Sequence, residues 1–189
     1  MSDYPMSPEF AAVNFRGMYS NIKSETRSGR VQVRNIGGQK WSFSAKYSLL
    51  TRKQMGPVMA FVSQQEGILK SFSIVLPEFS YTAGGATGAA NVQAAASAGS
   101  ESCSISMSGM LLQGDLIKFA QHDKVYMVTG SGNGSISFTP ALSSSVNANE
   151  SIIYNGVPFR VRLSNDVQTF KVKGNDMWSY DVDMEEDII

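Results

Sequence analysis

Residues 41–47 carry apolar side chains at every odd position (Trp41, Phe43, Ala45, Tyr47) and serine or lysine at every even one. A period of two marks a strand with one face in a core and the other open to water or a partner. Such a strand is not stable alone, so a sheet has to be assembled around it. Upstream, Val31 and Val33 alternate with Gln32 and Arg34, and Gly37-Gly38 between the two runs supplies the positive φ of a tight turn. Val31–Arg34 and the Trp41 strand are therefore expected to pair antiparallel. No Lys-Ser or Lys-Thr follows the glycines at P-loop spacing, so the turn reading is preferred to a phosphate loop.

Residues 28–77 continue the same unit. Thr51 and Gln54 have the spacing of a capping box, Met55, Val58, Met59 and Val62 share one helical face, and Gly67 is a natural stop. This predicts a helix over about 51–66, kinked at Gly56-Pro57 or starting nearer Pro57, because an interior proline costs about 3 kcal/mol. Phe72, Ile74 and Leu76 predict a further strand. Ahead of all this, Val13 and Phe15 fit a short strand, and residues 16–27 read as a long loop or flexible arm.

After Pro77 the texture changes. Residues 82–100 are nearly all alanine, glycine, serine and threonine, which reads as a linker or crossing loop. Five short strands follow, around Ile105, Ile117, Tyr126, Ile136 and Ile152, with turn signals at Gly114-Asp115 and Gly132-Asn133-Gly134. Five strands so close together predict a small antiparallel barrel. From Gly156 onward Phe159, Val161 and Leu163 alternate with arginines, and Trp178, Tyr180, Val182 and Met184 alternate with Ser179, Asp181 and Asp183. These last strands are expected to close the sheet that began at Val31. The reading is a mainly β chain: a split β-barrel or β-sandwich with one flanking helix, formed by residues 1–81 and 156–189, interrupted at 82–155 by the Ala/Gly-rich linker and an inserted small antiparallel β-barrel.

Composition restricts function more than it assigns one. Sixteen basic and sixteen acidic residues give no net charge, which argues against a generic nucleic-acid or membrane-surface binder. The charges are unevenly placed, ten basic against five acidic in residues 1–80 and four against seven in residues 156–189. A basic first part and an acidic end can attract each other within the fold or between identical copies. Cys103 is the only cysteine, which excludes an intrachain disulfide and a Cys-rich zinc site. The first residues show no secretory pattern, and no run of about 18 apolar residues predicts membrane insertion.

Chemistry-bearing residues are sparse. His122, the single histidine, stands beside Asp123, but no nucleophile motif accompanies it and it reads as an exposed turn residue. Asp181, Asp183, Glu185, Glu186 and Asp187 lack the glycine-punctuated spacing of a calcium loop and read as an acidic strand face. Arg27, Arg30, Arg34, Lys40 and Lys46 with Trp41 and Tyr47 resemble a single-strand nucleic-acid surface in composition. Strand alternation separates the aromatics from the lysines, so the charges are expected in water or against a neighbouring subunit. No catalytic, cofactor or metal residue is assigned.

Several runs together resemble a tail structural protein of double-stranded DNA bacteriophages: Tyr4-Pro5 to Phe15-Arg16, Ser28-Gly29-Arg30 to Trp41-Ser42-Phe43, Leu50-Thr51-Arg52 and Phe61 to Leu76-Pro77. Others are Gly114-Asp115-Leu116-Ile117-Lys118-Phe119, Lys124-Val125-Tyr126-Met127-Val128 and Asn155-Gly156-Val157-Pro158-Phe159. The chain is similar to distal tail proteins, which implies a non-enzymatic subunit of the tail tip or baseplate. The resemblance implies a ring of copies, commonly hexameric, around a channel that passes DNA, joining the tail tube to the host-contacting apparatus in the virion. It also implies an extended loop that completes the ring, for which residues 16–27 and the Ala/Gly stretch are candidates. Distal tail proteins often add a large carbohydrate-binding-like C-terminal domain, which a chain ending at Ile189 is expected to lack. Arg30, Gln32, Arg34, Lys40 and Lys46 are the subunit-interface candidates. The competing reading makes the inserted barrel a carbohydrate or receptor module, with Tyr126, Tyr154 or Trp178 as stacking residues.

Overall fold

The computed structural model describes residues 2–77, 79–132 and 134–188, and Asn133 of the expected Gly132-Asn133-Gly134 turn lies outside them. It is a mainly β protein with one α-helix among the described residues. By contacts the chain divides into two units, Met1–Phe72 with Val161–Asp187 and Ser73–Arg160 with Ile188–Ile189.

The first part of the chain supplies β1 (Ser2–Asp3), β2 (Ala12–Met18), β3 (Asn21–Glu25), β4 (Val31–Asn35), β5 (Lys40–Lys46), β6 (Leu50–Thr51), helix α1 (Arg52–Gln64) and β7 (Phe72–Val75). In β5 the alternation of the sequence becomes alternation of burial, with Trp41, Phe43 and Ala45 buried and Lys46 exposed. Its partner, however, is not β4. β2 lies antiparallel beside it in the register Val13↔Ala45 and Phe15↔Phe43, while β3 and β4 pair with each other, Ile22↔Arg34 and Lys23↔Val33.

Residues 12–46 thus form one long two-stranded ribbon folded at its tip. Between the two ladders, Tyr19 and Ser20 stand opposite residues 36–39, so two extra residues are inserted into the returning strand. Gly37 and Gly38 occupy that insertion at φ 88° and 73°. Positive φ is what the sequence promised, but it makes a bulge and bend between β4 and β5 instead of a reversal. The expected Val31–Trp41 pairing is corrected accordingly. So is the expected loop at 16–27, most of which is strand.

Helix α1 starts where the capping box places it. Gln54 Oε1 accepts the Thr51 N–H at 3.0 Å and the Thr51 hydroxyl at 2.9 Å. The helix runs through Pro57 without restarting there. The carbonyl that loses its partner to proline belongs to Lys53, in an exposed turn where water can bond it. Met55, Val58, Phe61 and Val62 are buried, and Phe61 meets Tyr4 at 5.2 Å and Phe72 at 5.3 Å, both edge-on.

The last part of the chain adds, after the barrel described next, β14 (Pro158–Leu163), β15 (Lys171–Lys173), β16 (Met177–Ser179) and β17 (Asp181–Glu186). The main sheet has the order β1-β7-β14-β17-β5-β2. β17 and β14 therefore close on β5, not on the Val31 strand, with Met184↔Phe43 and Leu163↔Met184 in register. The run read as one strand from Trp178 to Met184 is two: β16 joins β15 and β6 in a small separate sheet. Trp178 lies there half-buried, with the Arg52 guanidinium 5.9 Å above its ring.

The second unit is organised by a closed barrel of β8 (Thr87–Val92), β9 (Ser102–Ser108), β10 (Leu116–Phe119), β11 (Val125–Gly132), β12 (Ser135–Thr139) and β13 (Ser151–Ile153). The order around it is β10-β11-β12-β9-β8-β13. Phe119, Tyr126 and Phe138 fill the interior edge-to-face at 5.4–5.8 Å. With so much aromatic volume inside a narrow barrel, one wall must supply small side chains, and β8 does so with Ala90 and Val92. The Ala/Gly stretch is therefore not a linker throughout: part of it is a barrel strand.

Candidate assembly interface

The β3–β4 arm is closed at its tip by local bonds. The Gly29 N–H donates to the Thr26 carbonyl at 2.8 Å with Gly29 at φ 80°, and the Thr26 hydroxyl accepts the Arg30 N–H at 3.1 Å. At its base, Asn35 Oδ1 caps the Gly37 N–H and the Ile36 N–H donates to the Ser20 carbonyl. All ten residues of β3 and β4 are exposed. An isolated two-stranded hairpin is marginal in water, and both outer edges of this one are unpaired among the described residues.

The arm's surface is apolar and basic together. Ile22, Val31, Val33 and Ile36 are 46–63% exposed. The pairing Ile22↔Arg34 and Ser24↔Gln32 puts Gln32, Arg34, Ile22 and Ser24 on one face, with Arg30 in step with them ahead of β4. Lys40 and Lys46 lie elsewhere, at opposite ends of β5 with Ser42 and Ser44 on the outer face of the main sheet. Of the five interface candidates the structure brings three together on the arm and leaves two on the sheet.

The acidic strand face expected from the sequence lies on the outer side of the same sheet. Asp181, Asp183 and Glu185 line it along β17, opposite Lys46, Ser44 and Ser42 of β5. A recess of about 160 Å³ beside them is lined by Asn165, Gln168, Thr169, Lys171, Asp181 and Asp183. On the inner face the same strand buries Glu186 completely, and Glu186 Oε2 accepts the Trp41 N–H at 3.0 Å. Ile22 and Lys23 of the arm were missed, because β3 has no apolar alternation to mark it as strand.

The barrel holds the other sequence candidates. His122 is buried, not exposed at a turn: its Nδ1 lies 2.9 Å from the Tyr126 hydroxyl and its Nε2 3.1 Å from Ser144 Oγ. Tyr126 is itself fully buried, and the buried Tyr154 donates its hydroxyl to the Gly88 carbonyl at 2.6 Å. Neither ring is open to stack on a sugar. Asp115, also buried, accepts the Ala83 N–H at 2.9 Å and the Leu112 N–H at 2.8 Å, tying two loops at one end of the barrel.

Among the described residues no three His, Cys, Asp or Glu side chains converge to hold a metal ion, and no helix is long and apolar enough to cross a membrane. No protein-family model matches the chain. It is similar to the distal tail protein pb9 of Escherichia phage T5, 26% identical over 164 residues that cover 82% of this chain and 80% of that protein. This similarity bears out the resemblance to phage tail structural proteins read from the sequence.

Proposed function

We propose that the chain is a non-enzymatic structural subunit of a phage tail tip or baseplate, whose copies form a ring around the tail channel and join the tail tube to the host-contacting apparatus. The observation that carries this reading is the arm: a β-ribbon with exposed valine, isoleucine and arginine, and no core of its own. Apolar and guanidinium groups held out in water are what a subunit contact uses. The similarity to a distal tail protein supports the same conclusion.

In this reading residues 1–81 and 156–189 form a discontinuous ring domain, and residues 82–155 add a module to it. The ring is taken as hexameric and passes DNA without sequence-specific contact, and the partners above and below are other tail proteins of the virion. Arm and acceptor are different patches, so the contact is heterologous and closes by rotation. Sedimentation of the purified chain should show a discrete closed oligomer, and the protein should be found in virions at a fixed copy number. A monomer at high concentration, together with absence from virions, overturns the proposal.

A further inference from the structure

Resting on the ring reading, we propose where the arm goes: across the outer face of the main sheet of the next copy, with Arg30 and Arg34 on the Asp181, Asp183 and Glu185 row. The two patches have the same period. Arg30, Gln32 and Arg34 project from one face at alternate positions, and Asp181, Asp183 and Glu185 do the same on β17. Same-face residues of a strand are about 6.7 Å apart, so both rows share one interval, with the two cations Arg30 and Arg34 flanking neutral Gln32 and facing a row of three carboxylates. Serines 42 and 44, beside the acidic row on β5, offer hydroxyls to Gln32. The recess beside Asp181 and Asp183 is lined by Asn165, Gln168 and Thr169, with Lys171 also on its wall.

Neither row is closed by an ion pair, although Lys46 stands opposite Asp181 and Arg162 opposite Glu185 on the same face. Among the described residues the side chains of Arg30 and Arg34 and the carboxylates of Asp181, Asp183 and Glu185 take no part in an ion pair. The arm's own exposure shows that it does not lie on its own sheet. Two β layers pack about 10 Å apart with strands within about 30°, a gap that facing arginine and aspartate side chains span. Planar guanidinium groups on carboxylates also fix register, which a ring needs in order to close.

Charge exchange between copies tests this. A chain with Arg30→Glu and Arg34→Glu presents an acidic arm to an acidic face, and one with Asp181→Arg and Asp183→Arg presents a basic arm to a basic face. Each alone should raise the concentration for half-assembly at least about tenfold, and an equimolar mixture should restore the oligomer, since every contact is then arm to opposite face. In a second measurement, Arg34→Cys with Asp183→Cys in a Cys103→Ser background should give an intermolecular ladder with a short bis-maleimide cross-linker, which spans the roughly 10 Å between packed β layers that a disulfide cannot, with no ladder from either cysteine alone. Wild-type chain that never assembles overturns this inference and, if the protein is also absent from virions, the ring reading with it. Wild-type chain that assembles, while the variants assemble equally well or the mixture is not restored and no ladder forms, overturns this inference and leaves the ring standing.

Discussion

At the residue scale the most consequential groups are polar side chains held inside the sheet domain. Tyr47 donates its hydroxyl to the Tyr4 hydroxyl at 3.0 Å, and both are buried beside Tyr180. Burial pushes the Tyr47 phenol up from 10.0 to about 12 and holds Tyr4 and Tyr180 higher still. The unfolded chain ionises these groups first, so it releases protons that the folded state retains. Stability is therefore full below pH 10 and falls as pH rises through 10 to 12 and beyond. Urea midpoints measured against pH should show that fall, and Tyr47→Phe should make it shallower while costing about 1 kcal/mol at neutral pH by leaving the Tyr4 hydroxyl without its partner. Glu186→Ala should cost about 2 kcal/mol in the same assay, because the Trp41 N–H it bonds lies buried. None of this was legible beforehand. Glu186 read as one more acid in an outward face, and only the pairing Val161↔Glu186 puts it on the core side.

Elements were legible to the degree that their own side chains declare a period. β5 and α1 do so: alternation gives the strand, and a capping box followed by an apolar stripe gives the helix. Gly56 is the weak point of that helix, since it is exposed, lies in the interior, and has open space where a Cβ would stand, with no atom within 4 Å. Gly56→Ala should raise stability by about 0.5–1 kcal/mol, read from the denaturant midpoint. Gly109 is the opposite case. At φ 81°, a Cβ there would stand 2.1 Å from the Gly85 carbonyl oxygen. Gly109→Ala should destabilise the barrel unit by about 2 kcal/mol or more, measured by thermal melting. β8 illustrates what stayed hidden, because alanine and glycine carry no period and are recruited as strand only by the volume that Phe119, Tyr126 and Phe138 already occupy.

For the whole molecule the question is what the arm contributes to the fold and to assembly. It buries no side chain, so replacing residues 21–35 by a short turn should leave the melting temperature nearly unchanged and remove the oligomer in sedimentation. High salt should weaken the oligomer in the same experiment, as expected for a contact that joins exposed opposite charges.

The sequence by itself determined the mainly β class, the helix with its start, most barrel strands and the identity of the charged residues at issue, because each follows from local period, capping and turn chemistry. It also carried the resemblance to phage tail proteins. Which strands pair, and therefore which side chains meet, was decided only by the tertiary structure. β4 and β2 each offer β5 an apolar alternation, and the choice between them depends on a two-residue bulge at Gly37-Gly38 and on a core shared with β14 and β17. That choice turns residues 21–35 from a piece of sheet into an arm, and it separates Arg30, Gln32 and Arg34 from Lys40 and Lys46.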